Sequence, residues 1–274
     1  MELAQTGRPL ALRLEQAELD TSLASLEAAR QAAGDAAIAH LQCDCGTALS
    51  FGAGSPLSQA LYLGLNGPVA EDDFTRLEEF FFARKTAVTL SLSPYADLSL
   101  LELIGRRHYR LDHFEHTMIR DLTTEEAIPS SGCAATVSVA PPDQLPALAR
   151  TIMRGFGEGL EPDRTGVETF EFLLASRTIS AWQAVFDGAV AGGAVMSQLD
   201  RIALLAGDAT LPEFRGRGIQ AALIGARVRR ALENGAELAM ACTFPGSTSQ
   251  RNYERLGFRV VYTKALLVRE AGSG

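Results

Sequence analysis

The chain contains an internal repeat, in which two stretches align at a constant offset of 149 residues. The stretch that begins at His108 matches the stretch that begins at Gly257, and aromatic, basic, aliphatic and acidic residues fall on residues of the same kind. The same offset places Ala87–Leu92 on Ala236–Ala241 without a gap. Because one offset holds over more than 50 positions, it predicts a duplicated αβ unit. Two unrelated α/β halves are the alternative.

Composition restricts the class of protein. Of the 274 residues, 47% are hydrophobic and 21% are charged, which is typical of a globular chain and too apolar for disorder. The formal net charge of −8 argues against binding of nucleic acid through a basic surface. No apolar run approaches the roughly 20 residues of a membrane span. Charges are scattered through the start of the chain, which argues against a secretory signal.

The residues that most often bind metals do not form a recognisable metal-site pattern. The four cysteines are Cys43, Cys45, Cys133 and Cys242. The first two are closer together than the Cys-x-x-Cys pattern of metal and redox sites, so we expect reduced thiols in a cytoplasmic protein. Three histidines cluster on a predicted strand, namely His108, His113 and His116. Residues three apart on a strand point to opposite faces, so we expect no metal site there either.

A change in composition divides the chain. Residues 125–133 include Pro129, Ser130 and Ser131 and have no long apolar face, so they are predicted to be a linker. The predicted domains are therefore residues 1–124 and 134–274. In the second domain the patterns predict two helices, a hairpin turning at Asp187-Gly188, a further strand, a helix over Ile219–Glu233, and a closing strand over Phe258–Arg269. Tyr109–Ile119 is predicted to close the first domain.

A glycine-rich turn precedes the predicted helix at Ile219. The turn reads Arg215-Gly216-Arg217-Gly218, and its glycines let a ligand approach the backbone closely. The first amides of a helix lack partners and, with the helix dipole, favour an anion such as a pyrophosphate. The arginines add positive charge for phosphate oxygens.

Two of the ligands that use such a turn fit poorly. A nucleoside triphosphate loop needs Gly-Lys-Ser/Thr, and the chain has Gly218-Ile219-Gln220. The dinucleotide fingerprint is matched by Gly216-x-Gly218-x-x-Ala221, but its acidic partner belongs at the end of the next strand, whereas Glu237 opens that strand. Too little chain follows for the further βαβ repeats of a dinucleotide-binding fold.

The third ligand is coenzyme A, and here the sequence resembles the GNAT superfamily of acyl-CoA-dependent N-acyltransferases. Residues 215–220 are similar to the family's Arg/Gln-x-x-Gly-x-Gly/Ala loop, with Gln220 in place of the small residue. Thr210-Leu211-Pro212 resembles the family's Val-x-Pro, and residues 253–258 resemble its Tyr-Glu-Lys-Leu-Gly-Phe. The resemblance implies an α/β (α+β) fold of tandem GNAT-like units, each a mixed, mostly antiparallel sheet flanked by helices.

The resemblance also implies roles for individual residues. Backbone groups near Asp208, Ala209 and Thr210 would pair with the pantetheine arm of acetyl-CoA. The pyrophosphate would be held by the turn and the helix start, that is by Arg215, Gly216, Arg217, Gly218, Ile219, Gln220 and Ala221. Ser249 and Asn252 would bond the cofactor or cap a short helix. Tyr253 would be the general acid that protonates the leaving thiolate.

The implied reaction is transfer of an acetyl group from acetyl-CoA to a small-molecule or protein amine, without a metal. The family's usual base position holds Leu204, so Asp208 is the nearest candidate base, and Glu158, Glu161 and Asp163 lie in the loop where the family binds acceptors. An acyl-CoA sensor or assembly module without catalysis is the alternative. The sequence leaves a homodimer open.

The first half of the repeat departs from the motif. At the aligned turn it has Asn66-Gly67-Pro68-Val69, which lacks both arginines and the second glycine. Proline also removes a backbone donor. We therefore expect a degenerate first unit that does not bind coenzyme A.

Overall fold

The computed structural model describes residues 7–34, 37–52, 54–122, 132–162, 164–174 and 176–270. The chain forms two compact units: the first takes the chain up to His116 and again from Tyr262, and the second takes Thr117–Val261. Most of the predicted linker, up to residue 131, lies outside the described residues. None of the helices in the described part of the chain is long and apolar enough to span a bilayer.

The first unit is a mixed sheet with helices packed on it. Its helices are α1 (Arg8–Ala33), α2 (Glu71–Phe82) and α3 (Leu98–Arg106). Its strands are β1 (Ile38–Cys43), β2 (Gly46–Phe51), β3 (Gln59–Leu61), β4 (Val88–Leu92) and the first part of β5 (Arg110–Asp121). Strands β1, β2, β3 and β4 are neighbours in that order, and only the β3–β4 pair is parallel.

Apolar residues at helical spacing form the buried face of helix α2. In α2, Phe74, Leu77 and Phe81 recur at helical spacing, and all three are fully buried. Helix α1 is not predicted from the sequence, although it carries two ordinary helix boundary signals. It has proline in its first turn and ends at Gly34, which adopts a left-handed conformation. Its apolar residues are diluted by polar ones, so the helical period is weak.

A carboxyl group, that of Glu15, is buried inside the first unit. The side chain lies on α1 with 1% of its surface exposed, and burial raises its pKa from 4.5 to about 7, although Lys264 acts in the opposite direction. The folded state therefore binds more protons than the unfolded chain between pH 4.5 and 7. This buried acid lowers stability as the pH rises through that window.

Glu15→Gln should raise stability at alkaline pH. The amide stays neutral, so relative to the native protein the variant should gain on the order of 3 kcal/mol between pH 4.5 and pH 8.5. Urea denaturation at the two pH values measures the gain. Glu27→Gln on the same helix is the control, because its carboxylate has a lowered pKa and is partly exposed, so it should show no such gain. An equal response of both variants would contradict the prediction.

The second unit has the same construction with a longer meander. Its strands are β6 (Thr136–Val139), β7 (Ile179–Phe186), β8 (Ala189–Leu199), β9 (Ile202–Thr210), β10 (Leu238–Thr243) and the start of β11 (Arg259–Arg269). Its helices are α4 (Leu145–Phe156), α5 (Arg164–Leu174), α6 (Ile219–Glu233) and α7 (Thr248–Arg255). Strands β6 to β9 form antiparallel neighbours, and β9 pairs in parallel with β10. The predicted fold class, with mixed, mostly antiparallel sheets flanked by helices, is confirmed.

The order of elements repeats as the sequence predicts. Elements α2, β4, α3 and β5 begin 149 residues before α6, β10, α7 and β11, to within one residue. The two halves of the chain therefore share four successive elements, which supports a duplication.

The closing strands β5 and β11 do not pair in the order that the predicted domains imply. Residues 265–269 of β11 pair antiparallel with β4 in the first unit, and β5 is the neighbour of β10 in the second. The boundary between the units falls within β5 and β11 instead of within residues 125–133. Since the two strands are the most similar part of the repeat, each presents an equivalent edge and the same apolar pattern, so either one can complete a unit.

Candidate functional site

A bulge interrupts β9 near its end. Ala194 of β8 lies opposite two residues of β9, Gly207 and Asp208. Gly207 has φ +67°, and a Cβ atom there would lie 3.3 Å from the Val195 side chain, so the position favours glycine. A bulge bends its strand and re-aims a side chain, and here it turns Asp208 toward α6.

Beyond this point β9 and β10 separate. Their parallel pairing joins residues 202–205 to residues 238–241 and then stops, while β9 continues along β8 as far as Thr210. Within the described part of the chain, no strand covers the edge of residues 206–210 that faces β10. The opened edge includes Asp208, Ala209 and Thr210, the residues that were predicted to meet a pantetheine arm.

A 3-10 helical turn, Pro212–Phe214, and then the glycine-rich turn connect this edge to α6. Gly216 and Gly218 have φ values of 76° and 77°, which only glycine adopts without strain. Gly218 is the N-cap of α6, and among the described residues no side chain caps the helix. The amides of Ile219, Gln220 and Ala221 are therefore placed to meet an anion.

The two arginines of the turn bind protein groups. Arg215 pairs with Glu158, donates to the Gly155 carbonyl at 2.9 Å, and donates to the Thr210 carbonyl at 3.3 Å. These bonds fasten the turn to the end of α4. The Arg217 guanidinium lies 5.1 Å from the centre of the Phe186 ring. Both arginines contribute positive charge near α6, while the first backbone amides of α6 have no side-chain cap among the described residues.

Ser249 and Asn252 contact Gln220. The Gln220 amide donates to Ser249 Oγ at 3.0 Å, and the Asn252 amide donates to Gln220 Oε1 at 2.7 Å. Gln220, which departs from the family motif, therefore links the start of α6 to α7. The predicted contacts of Ser249 and Asn252 with a cofactor stay predictions.

Tyr253 reaches the bulge from α7. It is 1% exposed, packs edge-on against Phe258, and donates its hydroxyl proton to Asp208 Oδ2 at 2.6 Å. The phenol thus lies beside the opened edge of β9, as its predicted role requires.

Arg227 completes the cluster, and the sequence analysis does not identify it. Its side chain is fully buried on α6, pairs with Asp208 Oδ1, and donates to the Val195 carbonyl at 2.8 Å and the Leu223 carbonyl at 3.1 Å. A signal existed in the sequence, because Arg227 lies four residues after Leu223 on the apolar face of a predicted helix.

Burial and charge determine the protonation of this cluster. Burial raises the pKa of Asp208, and the Arg227 guanidinium acts against that rise. Burial, and then the Asp208 carboxylate, hold the pKa of Tyr253 well above its usual range. Both Asp208 oxygens have partners and its side chain is 6% exposed. This geometry suits orientation of Tyr253 better than the predicted role of a base.

The remaining candidates lie apart from the cluster. Glu161 pairs with Arg150 at 3.3 Å, and Asp163 lies outside the described residues. His113 bonds Asp112, whereas His116 bonds Thr263 Oγ1 at 2.8 Å. These two histidines therefore have separate partners.

Two cysteines and a carboxylate lie close together in the first unit. The thiols of Cys43 and Cys45 and a carboxylate oxygen of Asp73 lie within 4.8 Å of one another. Asp73 accepts the Cys45 backbone amide at 2.7 Å, which accounts for its position. The cysteines form no disulfide within the described residues.

The equivalent turn of the first unit is unsuited to an anion. The first turn of α2 contains Glu71, Asp72 and Asp73, at the positions that in α6 carry Gln220 and two alanines. Three carboxylates at a helix start already occupy the favourable end of the dipole and repel a phosphate. This agrees with the prediction of a degenerate first unit.

The family model "Acetyltransferase (GNAT) family" matches residues 145–258. A GCN5-related N-acetyltransferase from Kribbella flavida is similar in structure, with a TM-score of 0.70, 17% identity and 96% of each chain covered. A GCN5-related N-acetyltransferase from Sphaerobacter thermophilus has a TM-score of 0.58 at 18% identity, covering 73% of this chain and 67% of its own.

A tandem GNAT protein from the clavulanic acid biosynthesis pathway has a TM-score of 0.59 at 17% identity, covering 84% of this chain and 80% of its own. The comparison with curated proteins found no match. At these identities the structural likenesses establish the fold, and the family model covers the opened strand, the turn and α7. Residues 145–258 of this chain match the model of the GNAT acetyltransferase family, and the chain has the fold of GCN5-related N-acetyltransferases.

Proposed function

We propose that the second unit binds acetyl-CoA and transfers its acetyl group to the amine of a small molecule or protein. One observation carries the proposal: the uncapped start of α6 lies shortly after the opened edge of β9. The amides of Ile219, Gln220 and Ala221 take the pyrophosphate, and the edge of residues 206–210 takes the pantetheine arm. The cofactor spans both features.

The reaction is direct attack of the amine nitrogen on the thioester carbon. A C–N bond forms, the C–S bond breaks, and the electron pair of that bond moves to sulfur. The Tyr253 hydroxyl donates its proton to the departing thiolate. The nitrogen releases its proton to water, because both oxygens of Asp208 are engaged by Arg227 and Tyr253.

Gly216→Val should weaken acetyl-CoA binding at least tenfold, or by about 1.4 kcal/mol. A β-branched residue avoids positive φ, so the turn must move and its amides lose their alignment. Titration calorimetry with acetyl-CoA measures the change.

Gly67→Val is the matched control for this variant. Gly67 is the aligned glycine of the first unit, has φ +129°, and, like Gly216, has open space where a Cβ would lie. It should bear a similar local cost and leave acetyl-CoA binding unchanged. Equal losses in both variants would place the binding site elsewhere, and absence of binding to the native protein at about 1 mM would refute the proposal.

Turnover separates an enzyme from a sensor. The native protein is incubated with acetyl-CoA and a panel of amines, and free thiol is measured. Amine-dependent thiol release supports acetyl transfer. Binding without release from any amine would favour the non-catalytic alternative.

A further inference from the structure

The buried ion pair of Asp208 and Arg227 needs an explanation beyond folding. Two buried charges lose their hydration, and their mutual attraction often does not offset that loss. A protein with an apolar pair of similar volume in their place is commonly as stable. The pair here is placed at the bulge, beside the opened edge of β9, and its third member is the hydroxyl of Tyr253. This position indicates that the ion pair serves the reaction at the opened edge of β9.

We propose that Asp208 and Arg227 are positioning residues that hold the Tyr253 hydroxyl, proton attached, at the opened edge of β9. The proposal rests on the proposed acetyl transfer and deepens it. Neither residue touches the reacting atoms, and both act through Tyr253.

Arg227 fixes the position of Asp208 and favours its ionised form. The guanidinium is itself immobilised by the carbonyls of Leu223 and Val195, so it presents one nitrogen to Asp208 in a set direction. Among the described residues, Asp208 and Arg227 are the charged groups that act on Tyr253. An ionised Asp208 accepts a hydrogen bond from the phenol and thereby sets the orientation of the O–H bond.

The bond to Asp208 does not withhold the proton from the reaction. The Asp208 carboxylate accepts a hydrogen bond from the phenol and leaves the proton on the tyrosine oxygen, because burial and that carboxylate hold the pKa of Tyr253 well above its usual range. When the C–S bond breaks, the O–H group is therefore still protonated and can turn to the new thiolate. The sulfur gains the proton, and water returns the proton released by the amine to the tyrosine oxygen, so the protein is unchanged over one cycle.

A double-mutant cycle on turnover tests the proposal. Asp208→Asn should lower kcat by 10-fold to 100-fold and leave KM for acetyl-CoA within about twofold. In the Tyr253→Phe background the same change should lower kcat by less than threefold, because the group through which Asp208 acts is absent. An equal loss in both backgrounds, or no loss in the native background, would overturn the proposal.

The pH profile gives a readout that a purely structural role would not change. Removing the Asp208 charge lowers the pKa of Tyr253, so the alkaline fall of kcat should begin at lower pH in Asp208→Asn than in the native enzyme. If Asp208→Asn does not fold, the neutral pair Asp208→Asn with Arg227→Gln takes its place. Unchanged alkaline limbs in these variants would count against the proposal.

Failure of the proposed function would be recognised separately. It shows as no thiol release by the native protein with any amine, whereas failure of this inference leaves native turnover intact. In an inactive protein, spectrophotometric titration of tyrosine, taken as the difference between native and Tyr253→Phe, still reports the pKa of Tyr253. If that pKa is the same with Asp208→Asn, the inference fails.

Discussion

Replacing Arg227 with methionine should lower the free energy of unfolding by about 3–5 kcal/mol. Methionine fills much of the same volume, so the loss comes chiefly from Asp208, which remains buried without its cation. The carbonyls of Val195 and Leu223 also lose a donor. Urea denaturation at pH 7 measures the change, and an unaltered m value would show that the same transition is being compared.

Two controls isolate the uncompensated charge. Arg230→Met on the same helix removes a half-exposed arginine that pairs with Glu233, and it should cost less than 1 kcal/mol. The double variant Asp208→Asn with Arg227→Met should recover at least half of the loss, because it contains no ionised group at the site. A double variant less stable than Arg227→Met alone would show that the pair contributes mainly through packing.

Sequence reasoning predicts the parts of the site that local backbone chemistry determines. The turn at residues 215–218 must have glycines, since two of its positions adopt positive φ. The helix after it begins at Ile219 and ends at Glu233, as the apolar period predicts. The family motifs also place Tyr253 beside the opened strand. These features depend on neighbours close in the chain, so a sequence pattern records them.

Features that depend on distant contacts were harder to predict. The bridge from Gln220 to Ser249 and Asn252, some 30 residues away, was not predicted. The exchange of the closing strands depends on which of two similar edges each strand meets. No local pattern distinguishes the two edges.

The repeat itself could have located Arg227. At the constant offset of 149 it falls on Glu78, and both residues are buried on the inner face of their helix. Glu78 holds Arg107, Arg269 and the Tyr109 hydroxyl, so each unit builds an ionic cluster at this helix position. A charged residue within an apolar stripe in both halves indicates a buried partner, although its identity needs the structure.

Tyr253→Phe should lower kcat by about 10²-fold to 10⁴-fold, the usual contribution of a positioned proton donor. The change removes one oxygen, so the departing thiolate loses its donor while the ring still packs on Phe258. KM for acetyl-CoA should stay within about twofold, because the pyrophosphate and pantetheine contacts lie on the turn and on β9. Steady-state kinetics with the best acceptor amine measures both constants.

Tyr109→Phe supplies the matched control for this variant. Tyr109 also donates to a buried carboxylate, Glu78, at 2.9 Å, but it lies in the first unit, whose helix start is acidic. Both variants leave a buried carboxylate without one donor, so both should lose a similar part of their stability. Only Tyr253→Phe should also lower kcat. If Tyr253→Phe retained full turnover while Asp208→Asn did not, the proton donor would have to be sought among groups other than this phenol.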